Sequence, residues 1–163
     1  MANKKATSSF QRYVEATPTI TTSAYATGDL IGTAVIQLTA AVEGDALQKG
    51  TVGGLIQSVI VTDLAKQSAN LDIVFFDANP SNTTFTDNAA FDIDDLDLVN
   101  IIGVAQITAY SAFNDNSVGQ TLQLAIPFVL DTSNILYAAI VSRGTPTYVG
   151  TTDLTIRVGI LRG

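Results

Sequence analysis

The chain reads as an all-β protein: an antiparallel β-sandwich, jelly-roll-like in its winding, with an extended N-terminal arm. Three observations lead there. Apolar and polar residues alternate with a period of two along most of its length, the pattern of half-buried strands. Short runs rich in Val, Ile, Leu and Thr are broken at close intervals by Gly, Asn, Asp, Ser and Pro, which favour turns. No long helical stretch separates these runs.

Taken in order, residues 1–16 stand apart as the arm. Lys4, Lys5 and Arg12 are three of only eight basic residues, and Phe10 and Tyr13 lie among them. Two readings stand for it: a frayed terminus, or an arm that lies on a neighbouring subunit, its rings anchoring it and its cations meeting an acidic surface. Residues 17–163 form a single sandwich domain. Thr17–Thr22 reads as a short strand, with Pro18 marking an edge or a strand start. Gly28-Asp29 turns the chain into a β-rich run from Leu30 to Val42, and Gly44-Asp45 and Lys49-Gly50 bracket a loop. Leu55–Asp63 follows as a central strand whose two faces both tolerate burial. Asn70–Asp77 is another strand, ended by the turn Asp77-Ala78-Asn79-Pro80-Ser81-Asn82. Thr83–Asn100 differs from the rest and is expected to be a loop with one short helical turn, capped by Asp92 or Asp94. Strands resume at Ile101–Ala109, Thr121–Leu130, Ile135–Arg143 and Asp153–Leu161. Seven or eight strands at this spacing make a sandwich, and a jelly roll suits the length.

The totals bound the function. A single domain of 163 residues buries roughly 68–70% of its unfolded surface, enough for a core without metal or disulfide staples. There is no cysteine, histidine or tryptophan. The usual general base and the best soft nucleophile are therefore both missing, which argues against an enzyme and against any cofactor. A net charge of −7 argues against nucleic acid as a partner. The N-terminal residues lack the apolar core of a secretory signal, and no run is long enough to cross a membrane. Only 14% of residues are charged against 47% hydrophobic, a balance that points to surface hidden in an oligomer or larger assembly.

The remaining residues with chemistry fall into no working constellation. Asp92-Ile93-Asp94-Asp95-Leu96-Asp97 could offer oxygens to calcium, but lacks the glycine and the acidic closer of an EF-hand loop. Glu15 and Glu43 lie near loops or termini, and Asp72 and Asp77 bracket a strand; neither makes a convincing glycosidase pair. Lys66 and Ser68 miss the Ser-x-x-Lys spacing. Gly53-Gly54 and Gly119 lack the downstream helix of a phosphate loop. Tyr25, Tyr110, Tyr137, Tyr148 and Phe113 could form an aromatic platform, although tyrosines in such a sandwich more often belong to core or rim. No catalytic, cofactor or metal residue is assigned. The candidate contact residues are Lys4, Lys5, Phe10, Arg12 and Tyr13.

Three segments carry a resemblance: Ser58–Pro80 (SVIVTDLAKQSANLDIVFFDANP), Thr84–Phe91 (TFTDNAAF) and Tyr110–Ser117 (YSAFNDNS). Together they resemble small structural proteins of tailed bacteriophages, of the capsid decoration or cement kind, across roughly Thr17 to Leu161. The resemblance implies a virion protein made in the host cytoplasm and placed on the outer capsid surface. Its partners would be the major capsid protein and further copies of itself, a homotrimer being favoured because decoration proteins occupy symmetric positions. The alternatives are another virion part, such as a tail or baseplate adaptor, or a carbohydrate- or calcium-binding sandwich module.

Overall fold

A computed structural model describes residues 11–40, 52–131 and 133–162. It contains nine strands: β1 (Gln11–Ala16), β2 (Leu30–Thr39), β3 (Gly53–Asp63), β4 (Leu71–Phe76), β5 (Ile101–Ile107), β6 (Ala109–Ala112), β7 (Ser117–Val129), β8 (Ile135–Ser142) and β9 (Leu154–Arg162). They form two antiparallel sheets, one ordered β1-β9-β3-β7-β6 and the other β2-β8-β4-β5. The pairs are nested: β4 with β5, β3 with β7, β2 with β8 and β1 with β9. The expected all-β sandwich is the fold observed.

Both sheets turn an apolar face inward. Ile56, Val59, Val61, Ile156, Val158 and Ile160 meet Leu38, Ile73, Phe75, Ala105, Leu136 and Ile140 in one buried core. These are mostly β-branched or aromatic residues, which pack well on a pleated surface.

The strand alternation is interrupted by bulges. Gln57 is an extra residue in β3 relative to β9, so the inward set changes from Ile56 to Val59, Val61 and Asp63. Leu55 therefore shares the outer face with Ser58, Ile60 and Thr62, not with Val59 and Val61 as unbroken alternation would have it.

Several expected elements move. Gln11–Ala16, the end of the segment read as an arm, is the edge strand β1 paired with β9. Thr17–Thr22 is not a strand; it is tied across the sandwich by single bonds such as Ile20 N–H to Thr151 O at 3.0 Å. The short helical turn is a 3-10 helix at Leu98–Asn100 whose N-cap is Asp97 rather than Asp92 or Asp94, without a side-chain cap bond. The run read as Ile101–Ala109 divides into β5 and the start of β6.

The segment 77–100 covers the outer side of the four-stranded sheet. Phe85, Phe91 and Ile93 pack on a second buried cluster formed by Leu30, Val74, Phe76, Tyr137, Ala139 and Val141. Main-chain bonds between residues 88–91 and Gly28 and Leu30 hook the segment onto the start of β2. All six residues of β4 are buried in consequence.

Candidate functional site: the uncovered sheet face

Among the described residues, no segment covers the outer face of the five-stranded sheet in this way. Its rows follow from the strand register. Tyr13, Gly159, Ser58 and Leu122 stand side by side on β1, β9, β3 and β7. The next row is Leu161, Leu55 and Pro127, and on the other side lie Glu15, Arg157, Ile60 and Gln120. Tyr13 is 54% exposed and Leu122 52%. Gly159 is itself buried: a β-carbon on it would meet Ser58 Oγ and lie 3.2 Å from the Tyr13 ring, so these two side chains close over the glycine. The exposed Leu122 stands roughly 14 Å from β1, three strand spacings away in the same row.

Charge is almost missing from this face. Among the described side chains of the sheet, only Glu15 and Arg157 are charged and outward-facing, and they neutralise each other through bonds of 3.1 and 3.2 Å. The face measures roughly 20 Å by 30 Å from strand spacing and rise. That is on the order of 600 Å², close to the ~800 Å² per partner of a standard interface. The open edge of β7 is less suited to strand addition. β6 covers only Ser117–Gln120, and beyond it β7 bulges at Gln123, whose φ is 61°, and carries Pro127. Bulges and proline are devices that blunt an edge. Of the two, the face is the surface better suited to contact.

Of the expected contact residues, Tyr13 stands on this surface. Arg12 lies on the inward-facing side of the same strand, where it is half-buried. Lys4, Lys5 and Phe10 lie outside the described residues, as does Glu43. Leu55, Ile60 and Leu122 were not singled out from the sequence, although the two-sided apolar character of the β3 run was the signal that could have found them.

The other chemistry-bearing residues are drawn into structural roles. Asp97 is buried and its carboxylate accepts from Asn82 N–H at 2.9 Å, Asn82 Nδ2 at 3.0 Å, Thr83 N–H at 2.8 Å and Thr83 Oγ1 at 2.7 Å. Burial alone pushes that carboxyl upward, but the bonds from Thr83 and Asn82 together hold it below the ordinary carboxylate range. Asp63, buried at the end of β3, accepts from Ala65 N–H and Ser68 N–H. Ser68 Oγ meets Ser117 Oγ at 3.0 Å and Lys66 Nζ donates to Asn114 O at 3.2 Å, so the two do not form a dyad. Asp72 pairs with Arg143 at 2.7 Å. Asp77 is five residues further on, roughly 16 Å along an extended chain, which is too far for paired carboxylate chemistry.

No aromatic platform forms. Tyr25 and Tyr148 are buried edge to face with ring centres 6.0 Å apart, and Tyr137 is buried. Tyr110 is half-buried and donates to Ala69 O at 2.5 Å, and only Phe113 of this set is exposed. Burial raises the hydroxyl pKa of Tyr25, Tyr110 and Tyr148. A polar cleft of about 370 Å³ lies beside Asn82, Thr83, Thr86, Asp92 and Asp94. Among the described residues, no three acidic side chains converge as a metal site would require.

Compared with protein-family models, with curated proteins and with solved structures, the chain shows no match.

Proposed function

We propose that this chain is a non-enzymatic virion structural protein, a capsid decoration protein of a tailed phage. It would bind the outer capsid lattice at subunit junctions and stabilise the head. The observation that carries the reading is the asymmetry of the sandwich: one outer face is covered by the chain's own loop, while among the described residues the other is uncovered and nearly uncharged, with Tyr13, Leu55 and Leu122 exposed on it. A partner surface laid across the Tyr13–Leu122 row would bury that face, and a contact spanning two capsid subunits would raise the cost of separating them. The nested strand pairing supports a jelly-roll reading of the sandwich, an architecture that viral capsid domains share with lectins, so fold alone does not decide the role.

The non-enzymatic part is supported by how the acids are used. Asp29, Asp63, Asp87, Asp94, Asp97, Asp131 and Asp153 each accept at least one main-chain N–H and so act as loop staples. The resemblance of Ser58–Pro80, Thr84–Phe91 and Tyr110–Ser117 to decoration proteins agrees with this reading and adds self-association, with a trimer favoured. The test is direct. Purified chain mixed with undecorated shells of the phage that encodes it should sediment with them, and should stay bound as salt is raised. Absence of retention at every salt concentration sinks the reading.

A further inference from the structure

A second surface differs from the sheet face in both shape and charge. Leu96, Leu98 and Val99 are 70%, 48% and 84% exposed. They stand on a short loop that is not free to fold them inward. The buried Asp97 carboxylate between them takes four bonds from Asn82 and Thr83, Asp94 Oδ1 accepts Leu96 N–H at 2.9 Å, and Asn100 N–H bonds Asp97 O at 3.0 Å. Three apolar side chains are thus held out in water by a rigid polar frame. The ordering that binding normally costs has already been met in folding.

The surroundings of this tip are acidic. Asp92, Asp94 and Asp95 are exposed beside it. From Gln67 to Ser142 the chain holds nine aspartates and not one Lys or Arg. The complementary ligand is therefore a short segment with adjacent cations and an apolar anchor. This chain encodes one in Lys4-Lys5-Ala6-Thr7-Ser8-Ser9-Phe10.

Register puts the two in range. Gly103, just after the tip, lies against Ile126; Ile126 is level with Ile56, Ile56 with Ile160, and Ile160 with Arg12. The tip and the start of β1 are thus at the same end of the sandwich, on opposite edges. Lys4 stands seven residues before Gln11, a stretch that can span at most ~23–25 Å when extended.

We infer that the Leu96–Leu98–Val99 tip receives the Lys4–Phe10 segment of a second copy, with Lys4 and Lys5 on Asp92 and Asp95 and Phe10 on the apolar side chains. The inference rests on the self-association part of the function proposed above and is independent of the capsid. Arg12 and Tyr13 take no part in it, since β1 already holds them.

The experiment is a charge swap in the full chain, read by light scattering and sedimentation equilibrium. The unaltered chain should self-associate, more weakly as salt rises. The K4E/K5E variant should weaken association by about tenfold or more, and D92K/D95K should do the same. Carrying all four changes in one chain should restore it. Thermal melts of each variant establish that the fold is intact. A chain that stays monomeric at every concentration, association unmoved by either reversal, or failure of the fourfold variant to recover would each overturn the inference. Retention on shells is scored separately, so a monomer that still coats shells refutes this contact and leaves the capsid reading standing.

Discussion

The Tyr25 hydroxyl donates a 2.7 Å hydrogen bond to Asp87 Oδ1, the same oxygen that accepts Gly32 N–H at 2.7 Å. One carboxylate thereby joins the loop before β2, the bulge within β2 and the segment that roofs the four-stranded sheet. Replacing Tyr25 with Phe keeps the edge-to-face packing on Tyr148 but removes the donor. The bond goes to a charged acceptor in a partly buried site, so the loss should cost about 1.5–3 kcal/mol in urea denaturation. The roof should also show faster amide exchange at residues 88–91 than the strands beneath. A change of a few tenths would mean that water replaces the hydroxyl freely.

Close packing makes a second expectation. Gly119 on β7 is opposite Tyr110 on β6, and a β-carbon there would lie 2.5 Å from the Tyr110 ring and 2.7 Å from Ile107. Gly119→Ala must push the ring aside and disturb the Tyr110 bond to Ala69 O, which connects the β6–β7 hairpin to the start of β4. Overpacking of this kind typically costs about 1–3 kcal/mol. The urea midpoint measures it, and a double change Gly119→Ala with Tyr110→Ala should recover part of the steric loss.

Acid should loosen the roof through Asp97. Its folded pKa is depressed below the value of about 3.9 expected in the unfolded chain. A depressed carboxyl contributes stability that is fully present above the unfolded value and is lost as pH falls through the folded one. Asp131, held low by its bonds to Ser133, adds with the same sign. The unaltered chain should therefore lose stability below about pH 4. Asp97→Asn should be less stable than the unaltered chain near pH 6, with the gap narrowing near pH 3, where the unfolded Asp97 takes up a proton and the carboxylate's advantage shrinks. Urea midpoints at the two pH values check this, and an equal gap at both would refute it.

How much of this was legible depends on what each residue needs from its surroundings. Leu71–Phe76 and Ile135–Ser142 are recognisable because their apolar runs need no partner to be read as strands. Ala109–Ala112 escaped separate notice because it is only four residues long and contains no β-branched side chain. The bulges at Gln57 in β3 and Gln123 in β7 carry no mark such as Gly, and each depends on where the neighbouring strand places its bonds. One consequence is that Ile60, a core candidate by alternation with Ile56, ends on the outer face.

The site was less legible than the fold for the same reason. Tyr13 was noticed as a contact residue because it is an aromatic ring near a cluster of cations. The surface beside it needed Gly159 and Ser58 to be brought next to it from 146 and 45 positions away along the chain, which only the register supplies. The run from Asp92 to Asp97 looked uniformly acidic in sequence. In the fold one of its aspartates turns inward to four donors, and its neighbouring leucine turns outward.

The uncovered face provides the sharpest separation of stability from binding. Leu122 is 52% exposed on the outer side of β7 and stands opposite Ser58 rather than over the core. Leu122→Glu should shift unfolding free energy by no more than about 0.5 kcal/mol, as surface changes usually do. It would place an unpaired charge at one end of the Tyr13 row, on a face that otherwise carries one neutralised pair, and burying such a charge against a partner costs several kcal/mol. Retention on undecorated shells should consequently fall by at least about tenfold. Leu64→Glu, on the β3–β4 loop six residues beyond Ser58, roughly 20 Å along an extended strand from the Leu122 row, and 54% exposed, is the matched control and should bind normally. Equal retention of the two variants would move the contact off the five-stranded sheet. Loss in both would point to a general charge effect, which raising the salt concentration would relieve for Leu64→Glu but not for Leu122→Glu if the sheet face is the one buried.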